Sequence, residues 1–403
     1  MRNLKKILSA VVIFSLLVSI AACSKKLPEE TTPSTTESTA QTTVAETEAS
    51  IETTVVETEA PTPAPMVFST PVVERNVVEE YGKLYVDGTN LMSSVTGEPV
   101  QLTGMSSYGL YMCSAFFNEE IVKTLTQDWG CSVIRIAMYT VGTSDGYIER
   151  PEKYFNLMCE ITDMCIDAGV YIIVDWHILA DGDPNQYKAE AIDFFDRYSA
   201  IYGDCDNVIY EICNEPNGTC FDNPDETVGW ENCIKPYAEE VIPVIRNNAP
   251  DSVIIVGTST WSHDVHIASE SPLEGFDNIM YTFHFYAGSS GQETRDIVDQ
   301  ALANGLPIFC TEWGTTYDSG NGGPCLEESD VWLDFLNERN ISWCNWSIGG
   351  AAAETSNALL YMSNYLTPEE KMQGHWPDEF ISASGLYVRE KILERALAAS
   401  EEA

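Results

Sequence analysis

Positive charge is scarce in this chain. Lys and Arg number 21 against 62 Asp and Glu, and the formal net charge is -41. A polyanion of that balance is repelled by phosphate backbones and anionic lipid headgroups, which argues against nucleic-acid partners and charge-driven membrane binding. The excess reads as solvation of an exposed protein. The 12 cysteines contain no paired Cys-x-x-Cys units, so the usual zinc spacing is missing. His263 and His266 stand three apart, but no third ligand accompanies them, and neither a metal nor another cofactor is expected. A glycine-rich phosphate loop and a nucleophilic serine elbow are also lacking.

Long apolar runs are missing as well. The longest, residues 7–20, is short for a membrane span. It follows Arg2, Lys5 and Lys6 and ends in Ala21, Ala22 and Cys23. That pattern reads as an export signal, and its end resembles a bacterial lipobox, in which cleavage precedes a cysteine that takes lipid on sulfur. Residues 1–22 are therefore expected to be a lipoprotein signal peptide and Cys23 the lipidation site. Residues 23–66 are rich in Thr, Glu and Pro, with no basic residue from Leu27 to Pro65. Such a segment cannot bury a core and is expected to be an extended, disordered linker. The expected location is extracellular, at the cell surface or secreted, with membrane contact only through the lipid.

Residues 67–403 carry the folded part. A hairpin is expected around Asp87 and Gly88. Short apolar runs rich in β-branched and aromatic residues then alternate with helical patterns. Strands are expected at 100–103, 131–138, 170–175, 207–212, 253–256, 278–283, 307–311 and 341–345. Helices are expected at 118–129, 151–168, 186–202, 231–248, 295–304, 328–340 and from 379 onward. Pro236 and Pro243 are positioned to kink the fourth. Eight alternating units make the fold class α/β, a single (β/α)8 TIM barrel. Cys131, Cys159, Cys165, Cys213, Cys310 and Cys344 fall within these elements and read as small buried hydrophobes. Cys220 and Cys233 bracket one loop, and spacing alone leaves open whether they bridge.

Active sites of such barrels sit at the C-terminal strand ends. Those ends hold Tyr108; Arg135 and Tyr139; Asp175 and His177; Asn214 and Glu215; Trp261 and His263; His284 and Tyr286; Glu312; and Trp346. Two glutamates closing two different strands suit glycosidic hydrolysis, in which one carboxyl protonates the leaving oxygen and the other carboxylate attacks. Aromatic faces among them suit stacking on sugar rings.

In order along the chain, the runs 102–107, 135–139, 175–179, 210–217 (Tyr-Glu-Ile-Cys-Asn-Glu-Pro-Asn), 254–264, 284–288, 311–314 (Thr-Glu-Trp-Gly), 342–346 and 384–385 resemble glycoside hydrolase family 5, in its group of secreted bacterial endoglucanases. The resemblance implies a retaining endo-β-1,4-glucanase acting on cellulose or related β-glucans, and a monomer is expected. A mannanase, xyloglucanase or mixed-linkage glucanase on the same scaffold is the alternative. It implies Glu215 as acid/base and Glu312 as nucleophile. Asn214 would bind the sugar 2-hydroxyl, Arg135 and Tyr286 would hold the nucleophile ionised, and His177 and His284 would bind substrate or tune the carboxylates. Trp346, and Trp261 on the leaving-group side, would stack on sugars, with Tyr108 and Tyr139 lining the site. Arg135 should lower the pKa of Glu312 while Glu215 is raised. Tyr108 stands where the family usually has His, Met112 where a Trp is frequent, and the loop 349–353 lacks a frequent Lys.

Overall fold

The computed structural model describes residues 73–113, 117–142, 145–349, 355–359 and 374–402. The signal segment 1–22, Cys23 and the linker 23–66 lie outside the described residues, as do residues 350–353 of the loop 349–353. β1 (Leu84–Asp87) and β2 (Asn90–Ser93) pair as an antiparallel hairpin, turning at Gly88 with φ 59°. Eight parallel strands follow: β3 (Thr103–Ser107), β4 (Val133–Tyr139), β5 (Tyr171–His177), β6 (Val208–Glu211), β7 (Ile254–Val256), β8 (Ile279–Tyr286), β9 (Ile308–Gly314) and β10 (Trp343–Ile348). They close into a barrel in sequence order, with β10 returning to pair with β3.

The alternation of side chains along each strand sorts the core into two layers. Outward residues such as Ile134, Ile136, Ile172, Val174 and Trp176 join the surrounding helices. The helix Pro151–Asp167 shows how those helices are specified. Proline occupies its first turn, and Tyr154, Met158, Ile161 and Cys165 recur at helical spacing to form its buried face. It stops before Gly169, whose φ of 66° a side chain would resist. Inward residues of the lower barrel, among them Val133, Tyr171, Ile173, Ile209, Ile255, Met280 and Phe309, pack with Leu84 and Leu91 of the hairpin and with Val77.

Higher in the lumen the inward positions become polar. Ser106, Arg135, Asp175, Glu211, Thr282 and Thr311 are all fully buried. This layer explains where the sequence reading and the structure differ. Apolar runs were expected to end at 138, 175, 283, 311 and 345, yet the strands continue to Tyr139, His177, Tyr286, Gly314 and Ile348. The polar residues that look like strand ends are still paired strand residues facing the lumen. The first barrel strand lies at Thr103–Ser107 rather than 100–103, because Val100 and Leu102 pack beneath the barrel. Residues 231–248 begin with a wide turn, Trp230–Ile234, before the helix Lys235–Asn248; Pro236 falls in its first turn and Pro243 inside it. The helix Val77–Tyr81, capped by Asn76, was not anticipated.

Candidate active site

At the C-terminal mouth lies a cleft of about 490 Å³. Tyr108, Tyr139, His177, Glu215, Trp261, Tyr286, Glu312 and Trp346 line it, together with Asp318 to Gly320. Beneath that lining sit Arg135, Asn214 and His284, at most 1% exposed. The structure thus gathers every strand-end candidate at one mouth.

Arg135 organises the floor. Its Nε donates to Glu211 Oε2 at 2.7 Å, Nη1 to Glu312 Oε2 at 3.1 Å and to Ser106 Oγ at 3.2 Å. Nη2 reaches Asp175 Oδ2 at 2.9 Å and donates to Asn214 Oδ1 at 2.5 Å. One planar guanidinium therefore ties four strands and three carboxylates. Burial alone would lower its pKa, but Asp175, Glu211 and Glu312 outweigh that and hold it well above the usual range.

Glu312 accepts from Arg135 and, through Oε1, from the Tyr286 hydroxyl at 2.7 Å. Its position depends on an irregularity in β9. Thr282 pairs with Phe309 but His284 pairs with Glu312, so three residues of β9 oppose two of β8. A regular strand would send Thr311 and Glu312 to opposite faces. Here Thr311 reaches Glu211 in the lumen while the next side chain reaches Arg135 and Tyr286.

Glu215 follows β6. Its Oε1 lies 2.9 Å from His284 Nδ1, and His284 Nε2 lies 2.9 Å from the Thr311 hydroxyl, which donates to Glu211 at 2.7 Å. A continuous chain, Glu215–His284–Thr311–Glu211–Arg135–Glu312, thus joins the two glutamates through the floor. A carboxylate oxygen of Glu215 and one of Glu312 lie within 4.8 Å of each other. His284 completes a trio within that distance, but both its nitrogens are engaged, which fits proton exchange better than a metal. His263 Nδ1 faces Thr260 O at 2.9 Å. Among the described residues, His263 and His266 join no group of three ligands.

Burial dominates the electrostatics. It raises Glu215 to about 7, against lowering by His263 and Arg135. Glu312 is raised too, first by burial and then by Glu215, although His284 and Arg135 pull it down. Arg135 does pull Glu312 down, as expected, but the cost of burying the carboxylate and the charge of Glu215 outweigh it, so the net shift is upward. The pair still distinguishes its members. Glu312 receives two donors that stabilise the ion, and Glu215 meets one neutral imidazole, so a shared proton resides on Glu215. Burial likewise brings His284 down to about 3 and His177 well below its usual value, and raises Asp175 to about 7. His177, neutral, donates from Nδ1 to Asp175 Oδ2 at 2.5 Å and accepts at Nε2 from Asn214 Nδ2 at 3.3 Å.

The aromatic wall has its own order. His177 is stacked between Tyr139 (4.2 Å between centroids) and Trp346 (5.4 Å, 13° between planes). Tyr108 tilts against Trp346 at 5.5 Å. Trp346 is 6% exposed, whereas Trp261 is 47% exposed. Trp261 has φ 54° and donates its backbone N–H to Pro216 O at 3.1 Å, seating this segment beside Glu215.

Sequence reasoning left Glu211, Thr311, Ser106 and the segment Asp318–Gly320 without roles, and gave Asp175 none of its own. For Glu211 a signal existed: an ionisable residue inside an otherwise apolar strand of a closed barrel must face polar partners. Residues 318–320 carry no comparable mark.

A model of cellulase (glycosyl hydrolase family 5) matches residues 93–352. Endoglucanase A of Evansella cellulosilytica is 51% identical over 300 residues, covering 74% of this chain and 58% of that protein. An endoglucanase of Clostridium saccharobutylicum is 47% identical, covering 77% and 65%. The chain thus spans about three fifths of the length of these relatives. Among solved structures, the catalytic domain of a Thermobifida fusca endoglucanase in complex with cellotetraose superposes with a TM-score of 0.71 at 36% identity, covering 79% of this chain and 99% of that one. This chain belongs to glycosyl hydrolase family 5.

Proposed function

We propose that the protein is a retaining endo-β-1,4-glucanase that cuts internal bonds of cellulose or related β-glucans. The observation that carries this reading is the Glu215–Glu312 pair, with carboxylate oxygens within 4.8 Å of each other across the barrel mouth. Carboxyls about 5–5.5 Å apart serve retention, and inversion needs about 6.5–9.5 Å to admit a water. The substrate class is supported by the endoglucanase names of the relatives and by the cellotetraose bound in the similar solved structure.

In this reading Glu215 protonates the glycosidic oxygen while ionised Glu312 attacks the anomeric carbon. The C–O bond to the leaving sugar breaks and a glycosyl ester forms on Glu312. Arg135 and Tyr286 hold the attacking carboxylate and take up its changing charge. Glu215, now ionised, removes a proton from water, which opens the ester and restores both residues. Trp346, Tyr108, Tyr139, His177 and Trp261 supply the sugar-facing walls, and Asn214, fixed by Arg135, stands beside the reacting centre. The enzyme works as a monomer at the cell surface or secreted, held by lipid on Cys23.

Two experiments test this. Reducing ends released from carboxymethylcellulose, mixed-linkage β-glucan, mannan and xyloglucan should be greatest on carboxymethylcellulose and vanish in Glu215→Gln; dominant release from mannan, xyloglucan or mixed-linkage β-glucan contradicts the substrate assignment. Cys23→Ala should lose membrane partition, and unchanged partition defeats the anchor.

A further inference from the structure

Cys220 and Cys233 lie thirteen positions apart, one in the loop after Glu215 and one in the turn Trp230–Ile234. Their sulfurs are 2.7 Å apart, and both side chains are buried. The structure holds both as free thiols, with Cys220 Sγ donating to Thr227 O at 3.3 Å, yet their separation is shorter than unbonded sulfurs rest and longer than the S–S bond of about 2.05 Å. It is also closer than a shared zinc would hold them, since Zn–S bonds of about 2.3 Å in a tetrahedral site keep two sulfurs roughly 3.7 Å apart. Asp183 lies near enough to complete a metal trio. Its oxygens are already taken, however: Oδ1 accepts from Asn185 N at 2.9 Å and Nδ2 at 2.8 Å, and Oδ2 accepts from Phe221 N at 2.7 Å. We propose that Cys220 and Cys233 form a disulfide that staples the loop following Glu215 to the turn beneath it.

The loop gives the bond its consequence. Asn217 Nδ2 donates to Glu215 O at 2.7 Å and to Leu179 O at 2.9 Å, and Asn217 N donates to Gly182 O at 3.0 Å. Cys220 N donates to Glu226 O at 2.9 Å, and Thr219 bridges Thr227. Asn232 Nδ2 reaches Cys220 Sγ at 3.3 Å and Thr227 O at 3.0 Å. Polar contacts thus hold the first part of the segment between Glu215 and the helix Lys235–Asn248, Val228, Trp230 and Ile234 bury its second part in the core, and one covalent link would join the two.

Formation balances with an external disulfide as oxidant. The thiolate of Cys220, the more exposed of the two, attacks glutathione disulfide and expels one glutathione thiolate. Cys233 then loses its proton, attacks the Cys220 sulfur of the mixed disulfide and expels the second. Two thiols are oxidised by two electrons and two glutathione thiols form.

The test is a non-reducing peptide map of the full-length enzyme after exposure to oxidised glutathione, with free thiols alkylated under denaturing conditions. A peptide pair linked through Cys220 and Cys233, lighter by two hydrogens than its reduced parts, is expected. Reduction should lower the thermal midpoint of the wild type by roughly 3–8 °C. The double variant Cys220→Ser, Cys233→Ser should be insensitive to reductant. Recovery of both residues as separate alkylated thiols overturns the proposal. So does one tightly held zinc per chain that Cys233→Ser releases. The map is made on wild-type protein, so it decides even if the variant fails to fold.

Discussion

Arg135 Nη1 donates to Glu312 Oε2 at 3.1 Å, yet Glu312 is raised rather than lowered in pKa. The same guanidinium also pairs with Asp175 and Glu211, both fully buried. Its role is to hold a charged floor together as much as to ionise one carboxylate. Arg135→Lys should therefore behave as a severe change: a point charge cannot reach three carboxylates with fixed geometry. We expect kcat to fall by at least about 100-fold, and stability to drop by about 3–5 kcal/mol as the orphaned acids lose their partner. Denaturant melts and steady-state kinetics on one preparation check both; near-normal kcat would remove Arg135 from its organising role.

Glu211 should tune the acid at a distance. Its charge helps raise Glu215, and Thr311 and His284 connect the two. Glu211→Gln keeps the shape and removes the charge. The alkaline limb of kcat/KM should move to lower pH, with KM little changed. An unshifted limb, with only a lower melting temperature, would make Glu211 purely structural.

Stability carries a related signature. Glu215 has a folded pKa of about 7, above the ordinary value of 4.5. The folded state therefore binds its proton more tightly. Its stabilising contribution is full below about pH 4.5 and is lost as pH rises through 7. His284, lowered to about 3, acts oppositely, costing stability as pH falls from 6.5. The comparison of variants isolates the first effect. Glu215→Gln should gain stability over wild type between pH 5 and pH 8, on the order of 1–3 kcal/mol. A pH-independent difference in melting would contradict the raised pKa.

Trp346 stacks on His177 and touches Tyr108 at the cleft wall. Trp346→Ala should cost about 1–3 kcal/mol of transition-state binding in kcat/KM. Trp346→Phe should recover much of it. Full specific activity with a large loss of thermal stability would mark Trp346 as a core residue.

The barrel was legible because its strands are buried on both sides and read as short apolar runs punctuated by helical patterns. The strand-end residues Arg135, His177, Glu215, His284, Tyr286, Glu312 and Trp346 were legible because polar and aromatic groups interrupted those runs at one repeating place. Thr311 was not, and Glu211 was marked only as an ionisable residue in an apolar strand, since what they do lies in their contact across the lumen, between β6 and β9. The register shift that turns both Thr311 and Glu312 inward has no local sequence mark. The net rise of Glu312 was missed because a count of neighbouring charges omits the cost of burying the carboxylate.

The central claim is double displacement by Glu215 and Glu312. Proton NMR in the first moments of hydrolysis of a soluble β-glucan tests it most directly, because the anomer is read before mutarotation. The account expects the β-anomer to appear first, with no turnover by Glu312→Ala. Initial α-anomer would contradict it, since a single displacement by water inverts the reacting carbon.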